Sequence, residues 1–128
     1  MPTNTPVAVN AVAVSGLGVM RAPNGALVIY WTTLSEHDAL GFYVYRAEGH
    51  RQETTLPVDA QSVSGALISA TGGSSGANYQ VLDQATRIGA IYSYWLVEVG
   101  VDGTQTVYGP TRAQSGFTIS LPIVVMRK

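Results

Sequence analysis

Two histidines, His37 and His50, and eight carboxylates are the side chains of this 128-residue chain with the means for acid–base or metal chemistry. The densest group is Glu36-His37-Asp38. An imidazole between two carboxylates is the material of a general base or a metal ligand. The spacing fits no metal motif, and Leu-Ser-Glu-His-Asp-Ala-Leu reads as a solvated turn between two strands. A Ser-His-Asp triad can be assembled on paper, but no serine sits in the strand-to-helix elbow that would expose a nucleophile. Gly72-Gly73-Ser74-Ser75-Gly76 lacks the Gly-Lys-Ser/Thr ending and the following helix of a phosphate loop, and reads as a flexible connection. Asp59, Asp83 and Asp102 could hold calcium, but they are far apart in the sequence. With no cysteine there is no thiolate site and no disulfide. The residues assign no catalytic group, no cofactor and no metal: the expectation is a protein that is not an enzyme.

Six tyrosines, Tyr30, Tyr43, Tyr45, Tyr92, Tyr94 and Tyr108, offer a different chemistry. An aromatic strip would stack on sugar rings. Cross-strand tyrosine pairs also stabilise sheets by ~0.2–1 kcal/mol each, and that is the plainer reading.

Those side chains need elements to place them, and the hydrophobic period is close to two almost throughout. Residues 26–33 put Leu27, Ile29 and Trp31 on one face. Residues 41–48 put Phe42 and Val44 on one face, Tyr43 and Tyr45 on the other. Along 91–99, Tyr92, Tyr94, Leu96 and Glu98 alternate with Ile91, Ser93, Trp95, Val97 and Val99. Residues 11–20, 62–71 (weaker), 78–83, 104–112 and 116–126 complete the set. Ala22-Pro23-Asn24-Gly25 and Val101-Asp102-Gly103-Thr104 are turns. A bulge or kink is expected at Gly16 and Gly18. Residues 49–61 read as irregular, and 83–89 as a connection with at most one helical turn. About seven short strands with turns between them specify an all-β sandwich of one domain.

Composition narrows the class further. Charged residues are 12 %, against about 25 % in an ordinary soluble domain. Such a surface does little to keep copies apart. Net charge is −1 and no basic run exists, which excludes a nucleic-acid footprint. No stretch approaches the ~20 apolar residues of a membrane span. Met1–Asn10 lacks the pattern of a signal peptide. The expected location is the cell surface or outside the cell, with any signal already removed.

Trp31-x-Thr33-x-Ser35-Glu36 followed by Gly41-Phe42-x-Val44-Tyr45-Arg46 resembles the bacterial fibronectin type III-like modules of secreted and surface proteins. Tyr79…Asp83, Tyr92-x-Tyr94-x-Leu96-x-Glu98 and Asp102-Gly103…Tyr108-Gly109-Pro110 match in the same order, over residues 11–113. Phe117-x-Ile119-x-Leu121-Pro122-Ile123-Val124 looks like the short apolar tail at the end of some bacterial surface proteins. The resemblance implies a seven- to nine-stranded Ig-like, fibronectin type III-like sandwich with extension strands, used as spacer, adhesive or assembly module. The core expected is Trp31, Phe42, Val44, Tyr92, Tyr94 and Leu96. Either Tyr92 or Tyr94 fits the buried tyrosine whose hydroxyl bonds back to the chain.

The division expected is an arm over 1–10, a sandwich over 11–113 and an apolar tail over 114–128. Residues 4–14 and 116–126 are β-prone and almost uncharged. They fold back as edge strands, or they join copies through Pro6, Val7, Val9, Val12, Val14, Phe117, Ile119 and Leu121. Burying four or five such side chains contributes about 8–12 kcal/mol before entropy costs. The expected function is a structural subunit of an extracellular fibre or sheath, whose partners are copies of itself joined by strand addition. The alternative is an accessory module binding polysaccharide or other surface proteins.

Overall fold

Leu27, Ile29 and Trp31 alternate along one strand, and all three are sealed from solvent in the computed structural model, which describes residues 14–116. Eight strands follow in order: β1 (Val14–Arg21), β2 (Leu27–Thr33), β3 (Ala39–Glu48), β4 (Gln61–Ser62), β5 (Ile68–Ser69), β6 (Asn78–Asp83), β7 (Ile91–Gly100) and β8 (Gln105–Gln114). They form two antiparallel sheets. One has the order β1-β2-β6; the other has β4-β3-β7-β8, with β5 also paired to β3. The expected bulge is present: the β1–β2 register shifts between Ser15 and Gly18.

The two sheets close on one apolar cluster of Leu27, Ile29, Trp31, Phe42, Val44, Tyr92, Tyr94 and Leu96. The Trp31 indole stacks on Tyr79 with centroids 5.1 Å apart and meets Phe42 at 5.6 Å. Such aromatic pairs add about 0.5–1.5 kcal/mol each beyond area burial. The indole Nε1 of Trp31 is buried, with no hydrogen-bond partner among the described residues.

Strand β7 is buried on both faces. Its outward Trp95 and Ser93 are as inaccessible as its inward Tyr94 and Leu96. The irregular segment after β3 is the cover. Ser93 Oγ donates to Gly49 O (2.7 Å) and accepts from Arg51 N (2.9 Å). Trp95 Nε1 donates to Glu53 O (2.9 Å), and Arg112 Nη1 donates to Arg51 O (2.7 Å). A segment with no strand period thus lies on the sheet by lending carbonyls to its outward side chains.

Three local expectations are corrected. The single strand over 62–71 is two short pieces, because Ser62 Oγ accepts from Gly65 N (2.9 Å) and Gly65 takes a positive φ of 73°. No helical turn lies within 83–89. Its amides are held by side chains instead, Ala85 N by Asp83 (3.1 Å) and Arg87 N by the Tyr92 hydroxyl (2.8 Å). The short 3-10 turn is at Gly73–Ser75, inside the glycine-rich loop.

The connections gather at two opposite ends. At the upper end, Glu36 N bonds Gly73 O and Val101 N bonds Asp38 O; Val14 is there too, opposite Thr33. At the lower end, Gly116 N bonds Gly25 O and Gly89 N bonds Ser115 O.

Candidate functional site

At the upper end, the Glu36-His37-Asp38 turn separates into two kinds of residue. His37 and Asp38 are exposed, 3.9 Å apart at their nearest charged atoms. Asp38 takes φ 73°, a left-handed turn position that Asp tolerates. Glu36, expected as a solvated turn residue, is buried. Its Oε2 accepts from the Thr33 and Tyr79 hydroxyls, both at 2.5 Å, and its Oε1 accepts from Gly72 N at 2.6 Å. Burial alone would raise its pKa. The hydrogen bonds from Thr33, Tyr79, Gly72 and Thr71 outweigh that and hold it below the ordinary carboxylate value. Holding the Thr33 and Tyr79 hydroxyls on one oxygen and Gly72 N on the other, this carboxylate clamps the 34–38 loop to the 71–77 loop. The sequence signal that could have found it is Thr33-x-x-Glu36, a hydroxyl three residues before a carboxylate.

Toward the lower end, a second cluster crosses between the sheets. Arg46 Nη1 reaches both oxygens of Asp83 (2.7 and 2.8 Å), and the Tyr94 hydroxyl donates to Asp83 Oδ2 at 2.7 Å. Burial first, then Asp83, pushes the Tyr94 pKa far above its ordinary value, so it remains a donor. The Arg46 guanidinium lies 5.6 Å from the Tyr92 ring centroid. Beside it a groove of about 400 Å³ is lined by Arg46, Glu48, Asp59, Gln61, Arg87 and Tyr92. Its charges are matched within the chain: Arg87 pairs with Glu48, and Arg51 pairs with Asp59 at 2.6 Å.

Between the choices left open, Tyr92 is the tyrosine bonded back to the chain, through Arg87 N, while Tyr94 serves Asp83. The three aspartates considered for calcium stand apart. Asp83 belongs to the inter-sheet cluster, Asp59 to Arg51, and Asp102 to Thr104, whose amide and hydroxyl it accepts. Among the described residues no group of three His, Asp or Glu side chains could hold a metal ion. The tyrosines do not form one strip. Tyr92 and Tyr94 are core, and Tyr108 faces inward to Glu98. Tyr43 and Tyr45 share the outer face of the larger sheet, tilted by 47°. Tyr30 is on the other sheet, where an added Cβ on Gly18 would stand 2.4 Å from the Tyr30 hydroxyl oxygen. His50 is exposed.

What the fold leaves available is an edge. Sheet edges are normally guarded by charge, proline, bulges or brevity. β4 and β5 are two residues each, and β1 carries a bulge. β8 contains Pro110, which has no N–H to offer, and its register with β7 shifts between Tyr94 and Leu96. β1 and β8 also lie beside each other. β6 has no proline and no bulge, and is six residues long. Its six residues, Asn-Tyr-Gln-Val-Leu-Asp, pair in unbroken register with β2, and among the described residues no strand pairs with its other side. Its single charge, Asp83, is turned inward to Arg46.

Of the residues assigned to copy–copy contact, Val14 lies in β1, opposite Thr33 and packed on the rim of the core. Pro6, Val7, Val9, Val12, Phe117, Ile119 and Leu121 lie outside the described residues. Contacts of the sandwich continue past 113, since Ser115 and Gly116 are buried against Gly25 and Gly89. Compared with protein-family models, curated proteins and solved structures, the chain finds no match in any of the three.

Proposed function

We propose that this chain is a non-enzymatic structural subunit of an extracellular or cell-surface fibre, in which one copy adds a strand to the sheet of the next. The observation that carries the reading is the β6 edge: six residues without proline or bulge, on a sandwich whose other edges are short, bulged, interrupted by proline or set side by side. The donor is the uncharged arm of residues 1–10, whose alternating Val7 and Val9 suit an added strand. The low charge of the chain agrees, because little repulsion opposes close packing of copies.

We read the sandwich as fibronectin type III-like. The strand orders β1-β2-β6 and β4-β3-β7-β8 support this, as do Trp31 at the centre of the core on the second strand and Tyr92 bonded back to the turn before its own strand. A fold of this kind serves as a spacer or assembly unit, and its function lies on its edges and ends. The polysaccharide reading needs at least two exposed, coplanar aromatics. The tilt between Tyr43 and Tyr45, and the placement of Tyr30 on the opposite sheet, favour it less.

Sedimentation velocity on the full chain tests the proposal. Polymers are expected whose formation is lost when residues 1–10 are deleted. Unchanged polymers after the deletion would overturn strand donation by the arm, and a monomer at every concentration would overturn assembly.

A further inference from the structure

Charge is divided unevenly along the long axis of the sandwich. Among the described residues, the upper end and the strand halves leading to it carry Glu36, Asp38, Glu98 and Asp102, with no lysine or arginine. Every arginine among the described residues is in the lower half. Arg21 and Arg87 stand at the lower end itself; Arg46 is opposite Tyr94, Arg112 is opposite Ser93, and Arg51 bonds Ser93. Glu48, Glu53, Asp59 and Asp83 are the carboxylates there. Glu36 and Glu98 are buried, so Asp38 and Asp102 are the carboxylates exposed at the upper end; below, five arginines stand against four carboxylates, a net charge of +1.

The same two ends expose aliphatic side chains. Leu34 and Val101, each 62 % exposed, are in the two upper loops that Val101 N and Asp38 O tie together. Ile88, 78 % exposed, and Ile91 are in the lower loop and at the foot of β7. Met20, Leu40, Val58 and Leu82 are exposed elsewhere, so exposure alone does not single out the ends; at the ends it coincides with the division of charge.

We propose that the upper end of one copy docks on the lower end of the next. Leu34 and Val101, rimmed by Asp38 and Asp102, meet Ile88 and Ile91 at the end whose charges sum to one net positive, Arg87 there being paired with Glu48. The occupant is a second copy because the two ends complement each other in sign and both offer apolar surface. The contact is heterologous, and ends at opposite poles of one sandwich do not close into a dimer, so repetition gives a filament. It also sets the next copy's lower end, where β6 finishes at Asp83, against the end from which Val14 starts. This proposal rests on the assembly reading above and names its contact.

Val101→Asp and Ile88→Asp, made separately in the full chain, test it by sedimentation velocity. Both side chains are exposed, so each variant should melt like the parent. Each is expected to raise the concentration needed for polymers by at least about tenfold. An equimolar mixture is expected to give a one-to-one dimer and nothing longer, since one intact upper end and one intact lower end remain. Raising NaCl from about 0.05 to about 0.5 M should weaken the parent's assembly. If the parent assembles and both variants assemble at the parent's concentration, the end-to-end contact is overturned while strand addition stands. Loss of assembly in both variants with no dimer in the mixture overturns it as well. A parent that never assembles overturns the reading beneath it.

Discussion

Replacing Arg46 by methionine isolates the most consequential polar contact in the molecule. Asp83 is 2 % exposed and accepts from Arg46, Tyr94 and Ala85. Arg46→Met keeps most of the aliphatic length and removes the cation, leaving a carboxylate in the sandwich with two neutral donors. An uncompensated buried charge of this kind costs about 3–5 kcal/mol. Domains of this size have only about 5–15 kcal/mol in total. At roughly 3–5 °C per kcal/mol for a chain of this length, Tm should fall by about 10–20 °C. Urea unfolding at pH 7 with the near-ultraviolet signal of Trp31 and Trp95 reads the difference directly. Removing both charges, Arg46→Met with Asp83→Asn, should recover about 2 kcal/mol of the loss, because the amide still accepts from Tyr94 and Ala85. The side chains of the pair are 14 % and 2 % exposed, so the difference should persist in 0.5 M salt (about ten times a low-salt buffer), where surface pairs are screened. An Arg46→Met protein within about 1 kcal/mol of the parent, or a loss that disappears in salt, would refute the view that this cluster joins the two sheets.

Glu36→Gln should cost about 1–3 kcal/mol at pH 7, read by the same unfolding assay, because its NH₂ group would face donors. The Glu36 pKa is lowered by folding, so its contribution is complete above the unfolded value near 4.5 and is lost as pH falls through the folded value; the variant should lose less stability than the parent on acidification. Glu98 behaves in the opposite sense. Burial, the largest effect, raises its pKa; the Tyr108 hydroxyl lowers it by less and Asp102 adds a smaller upward push, so the stability it lends is present at low pH and lost as pH rises through the folded value. Glu98→Gln should therefore melt above the parent at pH 7, with the gain shrinking toward pH 4. Gly76→Ala should destabilise by about 2–4 kcal/mol, since φ is 74° and the new Cβ would lie 2.0 Å from Thr33 O. Trp95→Phe removes the hydrogen bond to Glu53 O, and limited proteolysis between 51 and 57 should quicken by up to about tenfold.

Much of this architecture was legible because it is written in a period of two. Leu27, Ile29 and Trp31, or Tyr92, Tyr94 and Leu96, declare which face is apolar without reference to any partner. Pro23-Asn24-Gly25 and Asp102-Gly103 declare turns through local dihedral preference, and Gly25 and Gly103 do take positive φ. Glu36 was misplaced because its partners come from Thr33, Tyr79 and Gly72, two of them about forty residues away. The double burial of β7 was missed for a similar reason: the carbonyls that hold Trp95 and Ser93 belong to a segment with no periodicity.

By itself the sequence determined the class of fold, the faces of the strands and the low charge, all properties of residue order and composition. Only the tertiary structure decided which tyrosine serves the backbone and which the carboxylate, that Asp83 is spent on Arg46, and that β6 is an edge without proline or bulge. Charge and exposed aliphatics, scattered along the chain, become two ends of opposite sign only when antiparallel pairing carries alternate loops to the same pole. Such properties depend on which distant segments meet, and a period read along one strand carries no information about its neighbour across the sheet.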